Sequence, residues 1–409
     1  MRGRTGRHND KRGGKMSTVA STAHLMNNYA KWPIRLVKGE GNRVWDEQGQ
    51  EYLDFTSGIG VTALGHVPPT VAACLHEQVD TLWHSSNLVE HPLQEQLAEK
   101  LSDISGLDRA LFCNSGAEAN EGAIKLARRY MQKVKGEHRY EIITFHQSFH
   151  GRTLATLTAT GQEKVKDGFL PLPEGFIHLP YNDASALQGA ISDKTCAVML
   201  ELVQGEGGVH PADEAWVKEL AKLCDQYGVL LIIDEIQTGM GRTGEWFAFQ
   251  HYGIKPDIIT VAKALGSGFP VGAVLAAEEV AQAFTPGTHG TTFGGNQLAM
   301  AAGIATVETM VAEQAPAKAK ALHQLLFARL QAVQQAHPDK VKAVRGKGLL
   351  LGLEVTQQAT DVIAYIREEH GILLLVAGPH VVRLLPSYVT TEAEIEKVIH
   401  ALQDAIQNI

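Results

Sequence analysis

The chain has 409 residues, with 37 Lys+Arg against 45 Asp+Glu and a formal net charge of −8. At roughly 150 residues per domain, that length implies two to three domains. Hydrophobic residues at 44% and charged residues at 20% are ordinary for a globular chain and far from the disordered regime. The acidic balance argues against nucleic-acid binding, and no apolar run is long enough for a membrane span. Cys74, Cys113, Cys196 and Cys224 are far apart in no CxxC or Cys/His spacing. Neither a disulfide framework nor a metal site is expected, and a reducing cytoplasm is the default location.

The first 15 residues carry six basic groups and one acid; without them the balance is 31 minus 44, or −13. They contain no apolar stretch of the secretory type, so residues 1–16 read as a disordered leader, with Met16 as an alternative start. Between Thr22 and His66 short strand-like runs alternate with turns, and Asp46 to Gln50 reads as a hairpin turn. Helical spacing predicts a helix over Ala117 to Gln132, with strands over Tyr140 to Phe145 and Cys196 to Leu202. Asp213 to Tyr227 then reads as a helix stopped by Gly228. Val229 to Asp234 is a continuous apolar run too short for a helix, the pattern of a central parallel strand covered on both faces. Asp257 to Ala262 and Val271 to Ala276 read as two more strands. Past about residue 310 come long Ala/Leu/Gln helices, strands at Gly348 to Val355 and Val381 to Leu385, and a final helix from Glu392. This alternation predicts an α/β fold, with ligands bound outside the carboxyl ends of the strands. The expected organisation is an N-terminal segment (17–66) packed with a smaller α+β domain (311–409), and a large domain (67–310) between them.

Two charges stand where burial makes them expensive. Asp234 closes the run VLLIID and Lys263 closes IITVAK. Each must be paired or used; the plain alternative is that they cap strand ends or pair with each other. A desolvated lysine followed by glycines suits Schiff-base chemistry, and an opposing acid suits a pyridinium nitrogen, the arrangement around pyridoxal phosphate. Ser115 and Glu118 have capping-box spacing, and Gly116 leaves N–H groups open at a helix start, where phosphate binds readily. Phe149-His-Gly-Arg152 sets a ring beside a cation, or else a core Phe beside a solvated Arg. Glu201 to Gly208 offers acids in a flexible turn, and His289 to Asn296 is a Gly-rich stretch with two adjacent hydroxyls. Arg383 lies within VVRLLP, where a guanidinium needs a partner.

These stretches together are highly specific. SGAEANE (115–121), FHGRT (149–153), QGEGG (204–208), DEIQTGMGRTG (234–244), AKALGSG (262–268) and GTTFGGN (290–296) resemble the class III pyridoxal-phosphate aminotransferases, in order and spacing, over nearly the whole chain from about residue 24. Residues 27–66 and the short overall length resemble the branch acting on acetylornithine. Leu202 stands where the family usually has Pro, and Gly266-Ser-Gly268 replaces a run of three glycines.

The resemblance implies a fold-type I architecture: a large domain with a mainly parallel, seven-stranded-type sheet between helices, plus a smaller α+β domain. It implies a homodimer with shared active sites. Lys263 would form the Schiff base with pyridoxal 5′-phosphate and move the proton, while Asp234 would keep the ring nitrogen protonated. Ser115, Gly116, Ala117, Phe149, Glu235, Ile236 and Gln237 would complete the cofactor site, with Thr292 from the neighbouring subunit. Arg152, Glu206, Thr291 and Arg383 would bind the substrates, acetylornithine and 2-oxoglutarate or glutamate. Related transaminations of ornithine, succinylornithine, succinyl-diaminopimelate or 4-aminobutyrate share this chemistry, and glutamate-semialdehyde aminomutation is a more distant alternative. A cofactor-binding scaffold without activity fits poorly with retention of Lys263, Asp234 and Arg383.

Overall fold

The computed structural model describes residues 24–187 and 189–409; the expected leader, 1–16, lies outside the described residues. The central sheet has seven strands: β1 (Arg109–Cys113), β2 (Glu141–Phe145), β3 (Phe176–Leu179), β4 (Thr195–Leu200), β5 (Leu230–Asp234), β6 (Ile258–Val261) and β7 (Gly272–Ala276). Their order across the sheet is β1-β7-β6-β5-β4-β2-β3. Only β7 runs antiparallel, to β1 on one side and β6 on the other. Both faces of β5 are covered, as its sequence requires. Leu230 and Ile232 enter one core and Leu231 and Ile233 the other, following the two-residue period of a strand.

One face is packed by the helix Gly116–Arg129. Its helical path runs past the expected end through a π-helical stretch, Tyr130–Lys135, and Gly136 closes it at a φ of 73°. The other face takes the helices Glu214–Tyr227 and Gln297–Ala312. Asp213 caps the former by accepting from Trp216 N–H, and Gly228 ends it at a φ of 60°.

After residue 312 the chain builds a second core. An antiparallel sheet (Val341–Lys347, Leu350–Val355, Val381–Leu384, Leu375–Val376) packs with the helices Ala315–Ala336, Ala359–His370 and Glu392–Asn408. Leu53 and Phe55 join this core. Strands Arg43–Asp46 and Glu51–Asp54 pair through the expected hairpin, and Ile372 and Leu373 add beside Leu53 and Asp54 in parallel. Among the described residues no helix is long and apolar enough to cross a membrane.

Because six of the seven strands are parallel, the carboxyl ends of β1, β2, β4, β5 and β6 share one edge of the sheet. The turns that leave this edge carry Ser115, Phe149 to Arg152, Glu201 to Glu206, Asp234 to Gln237 and Lys263. Binding at this edge is the rule for such sheets.

Candidate active site

A cavity of about 460 Å³ opens at that edge, lined by Ser115, Gly116, Ala117, Phe149, Arg152, Asp234, Ile236, Gln237 and Lys263, all expected from sequence. Val61, Glu201, Phe269 and Pro270 also line it. Lys263 follows β6 directly, with a φ of 48°, a left-handed conformation that costs a lysine energy. No carboxylate lies within 4 Å of its Nζ among the described residues. Burial lowers its pKa; Glu206, Asp234 and Glu201 oppose that, while Arg383 adds to it.

Asp234 is 3% exposed and does not pair with Lys263. Its Oδ2 accepts from Asn120 Nδ2 and lies 2.8 Å from His150 Nδ1, and its Oδ1 accepts from Ile236 N–H at 3.0 Å. Two of these partners, Asn120 and His150, are missing from the sequence reading. They lie inside SGAEANE and FHGRT, but nothing in the spacing shows that both reach Asp234.

At the start of the helix Gly116–Arg129, Ser115 Oγ accepts from Glu118 N–H at 3.2 Å. The reciprocal half of the capping box differs from expectation, because Glu118 Oε2 takes the N–H of Asn114 at 2.7 Å. Among the described residues the N–H groups of Ser115, Gly116 and Ala117 have no acceptor, as first-turn donors lack an intrahelical partner. A Cβ on Gly116 would stand 2.8 Å from Ile236 Cδ1, so only glycine lets the helix start this close to the turn after β5.

Arg152 sits 5.6 Å (Cζ) from the centre of the Phe149 ring and has no carboxylate within 4 Å among the described residues. Arg383 is 2% exposed and donates through Nη1 to Glu206 Oε1 at 2.6 Å, Gly205 O at 2.9 Å and Gln237 Oε1 at 3.3 Å. Burial pushes the Glu206 carboxyl up, but Arg383 and Lys263 outweigh it and hold it below the usual range. The guanidinium thus has its partner, and Gln237 ties the pair to the cavity wall.

Five expected residues lie outside the cavity lining: Arg383 and Glu206, which reach it through Gln237, and Glu235, Thr291 and Thr292. Glu235 is fully buried on the opposite side, where it accepts from Thr238 Oγ1 and Phe249 N–H and holds the turn after β5. The strand ends at Asp234, and the turn that follows directs Glu235 away from the cavity lining. Thr291 Oγ1 accepts from Asn114 Nδ2 and Gly294 N–H, outside the cavity lining. Thr292 is exposed on the protomer surface.

The chain matches the family Aminotransferase class-III over residues 25–406 and belongs to it. It is 50% identical over 388 residues to acetylornithine aminotransferase of Oceanobacillus iheyensis, covering 95% of this chain and 97% of that one. It is likewise 50% identical over 384 residues to acetylornithine aminotransferase of Bacillus subtilis, covering 93% and 97%. Among solved structures, ornithine aminotransferase from Toxoplasma gondii is similar with a TM-score of 0.90 at 33% identity, covering 94% of this chain and 92% of that one.

Class III aminotransferases use pyridoxal 5′-phosphate, and the residues present fit it. Free N–H groups at a helix start suit its phosphate, the Phe149 ring suits its aromatic face, and the buried Asp234 carboxylate suits its ring nitrogen. A buried amine at Lys263, whose pKa burial lowers, suits its carbonyl.

Proposed function

We propose that the protein transfers the terminal amine of N2-acetylornithine to 2-oxoglutarate, giving N-acetylglutamate 5-semialdehyde and glutamate, a step of arginine biosynthesis. The geometry that carries the reading is one cavity holding a buried amine, a buried carboxylate, a helix start and an exposed arginine. The 50% identity to acetylornithine aminotransferases over nearly full length supports the choice of donor. When bound, pyridoxal phosphate supplies the electron-withdrawing ring and the carbonyl that carries nitrogen between the two substrates. Lys263, with its lowered pKa, takes and returns the proton at the substrate carbon bearing the amine. Asp234 would keep a proton on the ring nitrogen, Ser115, Gly116 and Ala117 would hold the phosphate, and Ile236 and Gln237 complete the wall.

One site must accept an amine far from the carboxylate and then an amine beside it. Arg152, with no carboxylate within 4 Å among the described residues, grips the α-carboxylate of acetylornithine. Arg383 grips that of glutamate or 2-oxoglutarate, and Glu206 covers it while the longer substrate is present. The acids on the cavity wall, Glu201 and Asp234, already accept hydrogen bonds from the protein. Among the described residues a free α-ammonium, as on ornithine, finds no uncommitted carboxylate on that wall, and its desolvation disfavours it.

In the same reading residues 67–310 form the cofactor domain, and 17–66 with 311–409 form the smaller one. Parallel pairing of Ile372 and Leu373 with Leu53 and Asp54 supports that division. Two copies associate in the cytoplasm so that Thr292 of one reaches the phosphate held by the other. A panel of amino donors with 2-oxoglutarate, read by product identification, tests the assignment. Acetylornithine is expected to lead; faster turnover of ornithine or 4-aminobutyrate would overturn it.

A further inference from the structure

Glu206, the acid over Arg383, stands at the tip of a hairpin, and what holds that hairpin has no part in the mechanism so far. The base of the hairpin is antiparallel: Val203 pairs with Pro211 and Gln204 with His210. Gln204 Nε2 ties one arm to the end of β2 by donating to His146 O at 2.9 Å. The rest leans on the antiparallel sheet of the second core. Val203 and Val209 share a small apolar cluster with Leu350, Val381 and Leu385 of that sheet.

The register of the sheet places two arginines in one row. Arg345 pairs with Gly352, and Gly352 pairs with Arg383. Directly opposed residues in antiparallel strands turn to the same face. Each arginine takes a different carbonyl of the hairpin. Arg383 Nη1 donates to Gly205 O at 2.9 Å, just before Glu206, and Arg345 Nε donates to Gly208 O at 2.7 Å, just beyond it. Glu354 accepts from Arg345 Nη1 and so aims the guanidinium. Between the two arginines the row carries no side chain. A Cβ on Gly352 would stand 2.9 Å from Val209 Cβ, so any side chain there displaces Val209. The Glu206 side chain itself is 29% exposed, against 3% for Arg383. The backbone is thus gripped on both sides of Glu206, while its carboxylate has room to leave.

We propose that Arg345 and Gly352 form a fixed seat for this hairpin. Arg345 is a positioning residue that holds the backbone beyond Glu206, so that the carboxylate alone swings between covering and uncovering Arg383. The seat sets the discrimination between glutamate and acetylornithine without touching either, since neither Arg345 nor Gly352 lines the cavity. The inference rests on the reading of Glu206 as the cover of Arg383.

The test follows each half-reaction of the holoenzyme by stopped flow and takes the ratio of kcat/KM for glutamate to that for acetylornithine. Wild type is compared with Arg345→Gln, Gly352→Ala, Glu206→Ala and the double variant Glu206→Ala/Arg345→Gln. Without its anchor the acid drifts from Arg383, so the ratio in Arg345→Gln should rise roughly 2- to 10-fold, the scale of one hydrogen bond. Gly352→Ala, which lifts Val209, should move it in the same direction. In the Glu206→Ala background the Arg345 change should add nothing, because no carboxylate remains to be positioned. A ratio unchanged in Arg345→Gln, or a change as large without Glu206 as with it, would overturn the seat. If Arg345→Gln does not fold, Gly352→Ala carries the same comparison in the same two backgrounds. A ratio unchanged in Glu206→Ala would instead overturn the covering role on which the seat rests. A measurement free of turnover is titration of the holoenzyme with glutarate, a dicarboxylate with neither amine nor ketone, read by cofactor absorbance. Glutarate should bind more tightly to Arg345→Gln than to wild type, and equally to the two variants lacking Glu206; equal or weaker binding to Arg345→Gln would also reject the seat.

Discussion

At Lys263 two costs coincide, a left-handed backbone and a desolvated amine, and both are tolerated because the side chain reaches the cavity. Lys263→Ala should abolish multiple-turnover transamination while leaving cofactor bound noncovalently, as read by absorbance after gel filtration and by product formation. Near-normal turnover would sink the assignment. The two arginines should separate by half-reaction. Arg152→Ala should weaken acetylornithine far more than glutamate, and Arg383→Ala the reverse. Truncating one partner of a desolvated charge pair costs about 2–5 kcal/mol, roughly 30-fold or more. Glu206→Ala uncovers Arg383 and should favour glutamate over acetylornithine; stopped-flow traces of each half-reaction decide, and equal slowing of both by all three variants would reject the scheme. Lys263, Asp234 and Arg383 are legible in the sequence because a charge inside an apolar run demands a use. Asn120 and His150 are not, since their tie to Asp234 spans 114 and 84 positions. Glu235 misleads by adjacency alone. Its carboxyl is lifted to about 7, chiefly by burial, against an ordinary 4.5. Its contribution to stability is therefore present below about pH 4.5 and lost as pH rises through about 7, on the order of 3 kcal/mol. Glu235→Gln lacks that titration, so its melting temperature should fall less than that of wild type between pH 5 and 8. Parallel curves would show that Glu235 does not titrate there.

The secondary-structure elements are most legible where one physical demand dominates. The doubly covered β5, the Asp213-capped helix and the hairpin at Asp46 all follow from periodicity, caps and turn residues. The antiparallel direction of β7 does not, because an apolar strand buried on both faces looks the same in either orientation. Nor does the turn at Ser57, Gly58, Ile59 and Gly60, where four successive residues have positive φ although two of them are not glycine. Ser57 Oγ donates to Leu385 O at 2.6 Å, a contact across 328 positions that sequence spacing does not show. The start of the helix Gly116–Arg129 combines local and distant causes: the cap is local, but the need for glycine comes from Ile236. Gly116→Val should therefore push Ile236 into the cavity and displace the first-turn N–H groups. Cofactor retention is expected to fall at least about tenfold, equivalent to 1.4 kcal/mol, as measured by titration of apoenzyme with pyridoxal phosphate. Asp213→Ala offers the contrast. It removes a cap distant from the cavity, should cost about 1 kcal/mol in thermal stability, and should leave cofactor affinity unchanged.

At the scale of the whole molecule, the surface around Thr292 exposes large apolar side chains. Phe293 is 63% exposed, Trp83 60% and Leu88 94%. The segment holding Trp83 and Leu88 packs on the Thr292 loop: His84 lies 5.5 Å from the Phe293 ring, and Asn87 Nδ2 donates to Gly294 O at 2.9 Å and Thr291 O at 3.3 Å. Large apolar side chains exposed on two segments that pack together are the kind of surface that marks an interaction face. A second copy of this chain is its proposed occupant, because the same loop carries the hydroxyl that the cofactor site expects from outside its own protomer. Closed two-fold pairing would then place each Thr292 at the other's phosphate. Two variants separate assembly from chemistry. Phe293→Asp puts a charge into the proposed contact and should yield monomers by sedimentation velocity, with cofactor retention lost alongside. Thr292→Val leaves the apolar contact intact and should remain dimeric while binding pyridoxal phosphate more weakly. If Phe293→Asp stayed dimeric, this face would not be the interface. If Thr292→Val held cofactor as tightly as wild type, the phosphate would be bound within one protomer, and the exposure of Thr292 would need another explanation.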